Sequence, residues 1–363
     1  MVYIEPTARI ILEDGTEYEG TAFGHTNSAA GEIVFYTGTA DIPRLLSDPA
    51  LRGMILVLST PGVGAAGIPQ NNIDESGLET LFESARVQAA GLVLPYYSAE
   101  TEHITAYKTL DKWMKKYQIP GISDVDTRAL VQRLREKGTM RAKILVSNTR
   151  EVSFASIPFG AELPSHQQII HYGSGEKKLI LVDCGVRSSA VRSLLSPGIT
   201  VRRVPWNYDY TGEEFDGIFI SGGNSDPSFY RETSSILKNA LTFEKPVFAT
   251  GHGAAILAAA AGALPFHMAR GHRSSSVPCI DLETGRCHIT AQNHGYGIYE
   301  DSLPPGWETL FLNNMDNSIE GFTGKKGLFC GVLFNPEGNP GPRDTVFLYN
   351  RFLDLVRNGG LSS

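Results

Sequence analysis

From Leu179 to about Ala260 the chain alternates short apolar runs with helical stretches, and the connections between them are short. Leu179-Ile-Leu-Val-Asp reads as a strand, Val186 to Leu195 as a helix, and Thr200 to Val204 as a strand. Gly217-Ile-Phe-Ile is another strand, Ser234 to Leu241 a helix, and Pro246-Val-Phe-Ala-Thr a strand leading to an Ala-rich helix from Ala254. Such alternation requires a mainly parallel sheet covered by helices on both faces. Ligand sites in these sheets lie beyond the carboxyl ends of the strands. Three segments therefore matter: Ser221-Gly-Gly-Asn-Ser-Asp-Pro, Thr250-Gly-His-Gly, and the turn after Phe329-Cys-Gly-Val-Leu-Phe.

The first part of the chain is different, a mixed α/β region. Arg9-Ile-Ile-Leu-Glu, Asp14-Gly15 and Thr16-Glu-Tyr-Glu predict a strand, a turn and a returning strand. Met54-Ile-Leu-Val-Leu and Gly91-Leu-Val-Leu suit buried strands. Leu110, Trp113, Met114 and Tyr117 share one helix face, which stops before Pro120. A second helix starts at Asp126 or Thr127, buries Leu130, Val131 and Leu134, and ends at Gly138. Between Arg150 and Lys178, Pro158, Gly160, Pro164, Gly173, Ser174 and Gly175 interrupt every period. Two domains are expected, 1–149 and 178–363, with a linker over 150–177, in keeping with a length of 363 residues.

Charge narrows the function. With 32 Lys and Arg against 39 Asp and Glu, the net charge is −7. No basic surface for nucleic acid or an anionic membrane is expected from that balance. No apolar run reaches membrane-spanning length, and the N-terminus has no signal or transit pattern. The four cysteines, Cys184, Cys279, Cys287 and Cys330, contain no CxxC pair, which fits a reducing, cytoplasmic setting.

The motifs point away from cofactor chemistry. Gly62-Val-Gly-Ala-Ala-Gly67 has dinucleotide-fingerprint spacing, but Ile68-Pro69 follows where a helix must open, so a glycine-rich turn is expected. Ser221-Gly222-Gly223 lacks the Gly-Lys-Ser/Thr of a P-loop; its N–H groups suit either a tight turn or an oxyanion. His267, His272 and His288 have no ligand partners at metal spacing, so no metal or resident cofactor is expected. Cys330 lies in an apolar run and reads as a buried small hydrophobe. Phe248-Ala-Thr-Gly251-His252-Gly253 has the strand, sharp turn and helix of a nucleophile elbow, with a glycine at the apex. The geometry of an elbow is expected without a side chain to attack from it.

Several segments, taken together and in order, resemble the small subunit, or equivalent N-terminal region, of carbamoyl phosphate synthetases. They are Leu12-Glu-Asp-Gly-Thr, Gly31-Glu-Ile-Val-Phe, Val125-Asp-Thr-Arg, Val204-Pro-Trp-Asn, Gln292-Asn-His-Gly-Tyr, Asn335-Pro-Glu and Pro340-Gly-Pro-Arg-Asp. Val204-Pro-Trp-Asn and Ile289-Thr-Ala-Gln-Asn-His-Gly-Tyr are most similar to the eukaryotic multidomain forms. The resemblance covers nearly the whole chain. It implies a small-subunit domain followed by a class I glutamine amidotransferase-like domain, with the large synthetase subunit or synthetase domains as partner. In that family an elbow Cys attacks the glutamine carboxamide, a His is the base, and a Glu orients the His.

Carried onto this sequence, the Cys falls at Gly251, the His at Asn335 and the Glu at Glu337. Of the glutamine pocket, Gly223, Asn293, Gly295 and Tyr296 match, while Gly38, Ser225, His252 and Ala255 depart from the pattern. Loss of a covalent nucleophile costs on the order of 10⁴–10⁶ in rate, about 5–8 kcal/mol of barrier. An Asn amide does not titrate near neutrality and cannot replace a base. The resemblance thus implies a catalytically inactive amidotransferase, with weak or absent glutamine binding. It would serve a structural or regulatory role beside a synthetase fed by free ammonia, as in ammonia-dependent relatives that also lack the elbow Cys. Two alternatives stay open. One is a glutaminase using Thr250 or Cys330; the other is a stand-alone protein that keeps the pocket for another small ligand or partner. The pathway (arginine, urea or pyrimidine) is equally open.

Overall fold

The computed structural model describes residues 7–38, 41–101, 103–154 and 167–361. The middle of the expected linker, residues 155–166, lies outside them. The chain forms two compact units, one of residues 1–74, 79–162 and 269–273, the other of 75–78, 163–268 and 274–363.

The first unit contains strands β1 (Thr7–Leu12), β2 (Glu17–Gly24), β3 (Ala29–Tyr36), β4 (Met54–Leu58), β5 (Gly91–Val93), β6 (Pro120–Ser123) and β7 (Met140–Val146), and helices α1 (Ile42–Leu46), α2 (Leu110–Lys116) and α3 (Thr127–Lys137). The strands close into a barrel in the order β1-β2-β6-β5-β4-β3-β7. Period-two alternation sorts its side chains. Ile55 and Val57 of β4 join Ile10, Ile33, Ile122 and Ile144 in one core with Leu130, Val131 and Leu134 of α3. Leu56 and Leu58 turn the other way, onto Leu110, Trp113 and Met114 of α2. The expected β1–β2 hairpin turns at Gly15, φ 85°, and α3 is capped by Asp126 and ends at Gly138, φ 88°. The Gly62–Gly67 segment is a loop with positive φ at Gly62, Gly64 and Gly67, and no helix opens after it.

The second unit contains β8 (Ile170–Tyr172), β9 (Lys177–Asp183), α4 (Ser188–Leu194), β10 (Ile199–Pro205), β11 (Gly217–Ile220), α5 (Arg231–Ala240), β12 (Val247–Thr250), α6 (His252–Ala261), β13 (Pro265–Asp281, apart from its residues 269–273), β14 (Cys287–Ile298), β15 (Trp307–Asn313), β16 (Ile319–Gly324), β17 (Phe329–Val332) and α7 (Phe347–Asn358). Its ten-stranded sheet runs β14-β13-β15-β16-β17-β12-β11-β9-β10-β8. The run from β10 through β9, β11 and β12 to β17 is parallel. An antiparallel wing of β15 and β16, not foreseen from the sequence, extends it beyond β17. At the opposite edge, β8 arises from the stretch read as linker and pairs antiparallel with β10.

Alternation again divides the core. Ile180, Val182, Ile218, Ile220, Val247 and Ala249 face the helices α5 and α6, which supply Leu237, Ala254, Ile256 and Leu257. Leu179, Leu181, Phe219 and Phe248 face Val191 and Leu194 of α4 and Tyr349, Phe352 and Val356 of α7. The carboxyl ends of β9, β11, β12 and β17 therefore emerge between two helical layers, and the three glycine-bearing turns lie there. Among the described residues no helix is long and apolar enough to cross a membrane.

Candidate active site

A single residue, Gly251, joins β12 to α6, with φ 54° and ψ −128°. This backbone state is one that side-chain-bearing residues enter only under strain. Close packing holds the turn on both sides. A Cβ on Gly253 would stand 2.5 Å from the carbonyl oxygens of Ile220 and Ser221, so only glycine lets α6 rest against the end of β11. A Cβ on Gly223 would stand 1.9 Å from the Cys184 carbonyl oxygen. That loop is tied to β9: the Cys184 N–H donates to Ser221 Oγ at 2.9 Å, and Tyr230 OH donates to the Cys184 carbonyl at 3.1 Å. Ser225, in the same loop, is buried and holds φ 127°.

Asn335 follows β17 and is fixed by its N–H to the Ala291 carbonyl on β14, at 2.8 Å. A Cβ built on Gly251 would lie 3.8 Å from Asn335 Oδ1 and 3.4 Å from the Gly222 Cα. The structure thus brings Gly251, the Gly222–Ser225 loop and Asn335 together at one elbow. Asn293, Gly295 and Tyr296 run along β14, and the Tyr296 ring stands 5.8 Å from that of His252. Ala255 is packed into the apolar layer between α6 and the sheet. Gly38 belongs to the first unit, just after β3.

Glu337 is buried and doubly engaged. Arg187 Nη1 reaches its Oε1 at 3.2 Å, and Tyr349 OH donates to its Oε2 at 3.0 Å. Arg187 Nη2 also donates to the Gly338 carbonyl at 3.2 Å. Burial, with Glu337 adding to it, pushes the Tyr349 phenol well above its ordinary range, so Tyr349 is a firm donor. Sequence reasoning missed Arg187 and Tyr349. Tyr349 sits on the apolar face of α7 with Leu348, Phe352, Leu353 and Val356, where an aromatic reads as core. Arg187 carried the better signal, a charged residue directly before a helix whose first residues are buried.

The side chains next to the apex do not supply a nucleophile. Thr250 is buried and lies two residues beyond Phe248 on β12, so its side chain takes the same face of the sheet as Phe248, toward α7 and away from α6. Cys330 pairs with Phe248, two residues before the Val332 that lies opposite Thr250. Burial pushes its thiol up to about 12, so it is not a thiolate near neutral pH. His252 is buried, and burial pulls its imidazole down to about 4 against the opposing pull of Asp226. It is neutral at physiological pH.

Residues 10–144 match the model of the carbamoyl-phosphate synthase small chain, CPSase domain, and residues 180–355 match glutamine amidotransferase class-I. The multifunctional protein CAD of Squalus acanthias is 38% identical over 361 residues, which are 97% of this chain and 16% of that protein. The mitochondrial carbamoyl-phosphate synthase (ammonia) of Homo sapiens is 37% identical over 366 residues, 97% of this chain and 24% of that protein. The multifunctional protein pyr1-3 of Dictyostelium discoideum is 38% identical over 373 residues, 96% of this chain and 17% of that protein. The chain therefore spans under a quarter of the length of these relatives. By both halves of its sequence, it consists of a carbamoyl-phosphate synthase small-chain domain followed by a class I glutamine amidotransferase domain.

Proposed function

We propose that the amidotransferase half does not hydrolyse glutamine, and that the chain supports a carbamoyl phosphate synthetase that takes free ammonia. The observation that carries this reading is the apex of the elbow, where Gly251 offers no nucleophile and faces the amide of Asn335. Glu337 cannot compensate, because both its oxygens serve Arg187 and Tyr349 and no histidine stands at 335 for it to orient. Support for the nitrogen source comes from the mitochondrial relative named for ammonia. The partner on this reading is a synthetase subunit or the synthetase domains of a longer polypeptide, and the role is structural or regulatory.

The test measures ammonia release from glutamine by the chain assembled with its synthetase, alongside carbamoyl phosphate formation from ammonia. The expected result is ammonia-dependent synthesis with no glutamine turnover above background. Glutamine-dependent turnover would overturn the reading. A glutamine-like diazo-ketone is also expected to leave Cys330 unlabelled, because the buried thiol is protonated.

A further inference from the structure

The amidotransferase elbow is not the only place where parallel strands end together. In the first unit the neighbouring strands β6, β5, β4 and β3 all run parallel, so their carboxyl ends share one rim of the barrel. Ligand sites in parallel sheets and barrels lie at that end. A cleft of about 760 Å³ lies there, within the size range of small-molecule sites. Each strand contributes a residue from just beyond its end: Thr37 after β3, Ser59 after β4, Pro95 after β5 and Val125 after β6. The helix that follows β6, α3, walls the cleft with Thr127, Arg128, Val131 and Arg135.

The polar groups on this rim are uncommitted. Arg128 and Arg135 are exposed and seven residues apart, which sets them on one face of α3, two turns from each other. Neither pairs with a carboxylate among the described residues, whereas Arg133 on the same helix is held by Asp14 at 2.6 Å. The Arg135 guanidinium lies 5.6 Å over the Phe35 ring. Thr127 is only 3% exposed and yet lines the cleft, and among the described residues its hydroxyl makes no hydrogen bond. A polar group so deeply set calls for a partner. Asp126, the one carboxylate of the lining, accepts the Ala129 N–H at 3.0 Å and so closes the first turn of α3. The helix end is therefore occupied, and the donors left to a ligand are side chains. Two guanidinium groups against one carboxylate make the cleft cationic, in a chain whose net charge is −7.

We propose that this cleft binds a small organic phosphate. Arg128, Arg135 and the Thr127 hydroxyl take the phosphate group, and Pro95, Val125 and Val131 take the apolar body. Guanidinium forks match phosphate oxygens two at a time, and a pair of them suits a group that carries nearly two charges at neutral pH. The inference stands apart from the proposed function, because no residue of the amidotransferase half enters it.

The test titrates the whole chain, alone and assembled with its synthetase, with inorganic phosphate, phenyl phosphate and benzoate. Calorimetry reads affinity, and the ³¹P resonance of each phosphate reads the environment of the bound group. Saturable binding of phenyl phosphate is expected, tighter than that of inorganic phosphate and of benzoate. Arg128→Gln and Arg135→Gln are each expected to weaken it about tenfold or more, the worth of one charge-assisted hydrogen bond. Arg133→Gln, which removes an equal charge from the same helix, is expected to leave it unchanged. Both cleft arginines are exposed, and urea midpoints equal to the wild type establish that the variants fold. No saturable binding of phenyl phosphate, benzoate binding as tightly, or equal loss in Arg133→Gln would each overturn the proposal. So would binding that assembly with the synthetase abolishes, since the cleft would then be a surface covered by protein. Glutamine turnover on the same samples would strike only the proposed function.

Discussion

A side chain at residue 251 would have to adopt the φ 54°, ψ −128° that Gly251 holds freely. Residues with a Cβ enter such regions at about 1–3 kcal/mol. Gly251→Cys is expected to fold with a stability loss of that order, measured by urea unfolding. It is expected to show no glutamine turnover, because Asn335 offers no base. Gly251→Cys combined with Asn335→His is expected to accelerate alkylation of the new thiol over the single variant, read by iodoacetamide labelling rates. His252 gives a pH signature at the same scale. Its folded pKa of about 4 lies below the ordinary imidazole value of 6.5, so the unfolded state binds the proton first. The stability it preserves is complete above about pH 6.5 and is lost as pH falls toward 4. Urea midpoints of the wild type should drop over that window by more than those of His252→Phe. The apex glycine was legible in the sequence because the strand ending at Thr250 and the Ala-rich helix from Ala254 leave only the sharp turn Gly251-His252-Gly253 between them. The Arg187–Glu337–Tyr349 contact was not, because partners so far apart in the chain leave no local period.

Among the elements, the turn after β17, the start of α4 and α7 meet at Glu337. Removing one partner of a buried ion pair leaves the other charge unpaired and costs about 3–5 kcal/mol. Glu337→Ala is expected to lower stability by that order and Glu337→Gln by less, since Gln still accepts from Tyr349; chemical denaturation of both checks it. If the two variants match the wild type, Glu337 is no clasp. In the first unit, Asp126 Oδ1 accepts the Ala129 N–H at 3.0 Å. Asp126→Ala is expected to cost about 1 kcal/mol by loss of that cap. The helices and the parallel strands were readable because their faces are cleanly apolar. The antiparallel wing was not. β13, Pro265–Asp281, carries Arg, His and three serines in a row, and its burial follows no clean alternation. Strands of that composition are held by pairing rather than by a hydrophobic face.

At the scale of the whole molecule, each unit has two apolar layers of its own. Scanning calorimetry is therefore expected to resolve two transitions, with Asp126→Ala moving one and Glu337→Ala the other. A single transition whose calorimetric and van't Hoff enthalpies agree would contradict this. Sequence length alone suggested two domains, but it did not show that the chain returns to the first after entering the second. Residues 269–273, within β13, are part of the first unit. The Thr139 N–H donates to the Ala269 carbonyl at 3.1 Å, and the Thr37 N–H to the Arg273 carbonyl at 3.4 Å. On a ribosome that adds about 5–20 residues per second, the stretch from 154 to 273 takes on the order of ten seconds to emerge. Throughout that interval the N-terminal unit waits, lacking a piece encoded well downstream, and nascent chains stalled before residue 269 should be the more easily cleaved by protease.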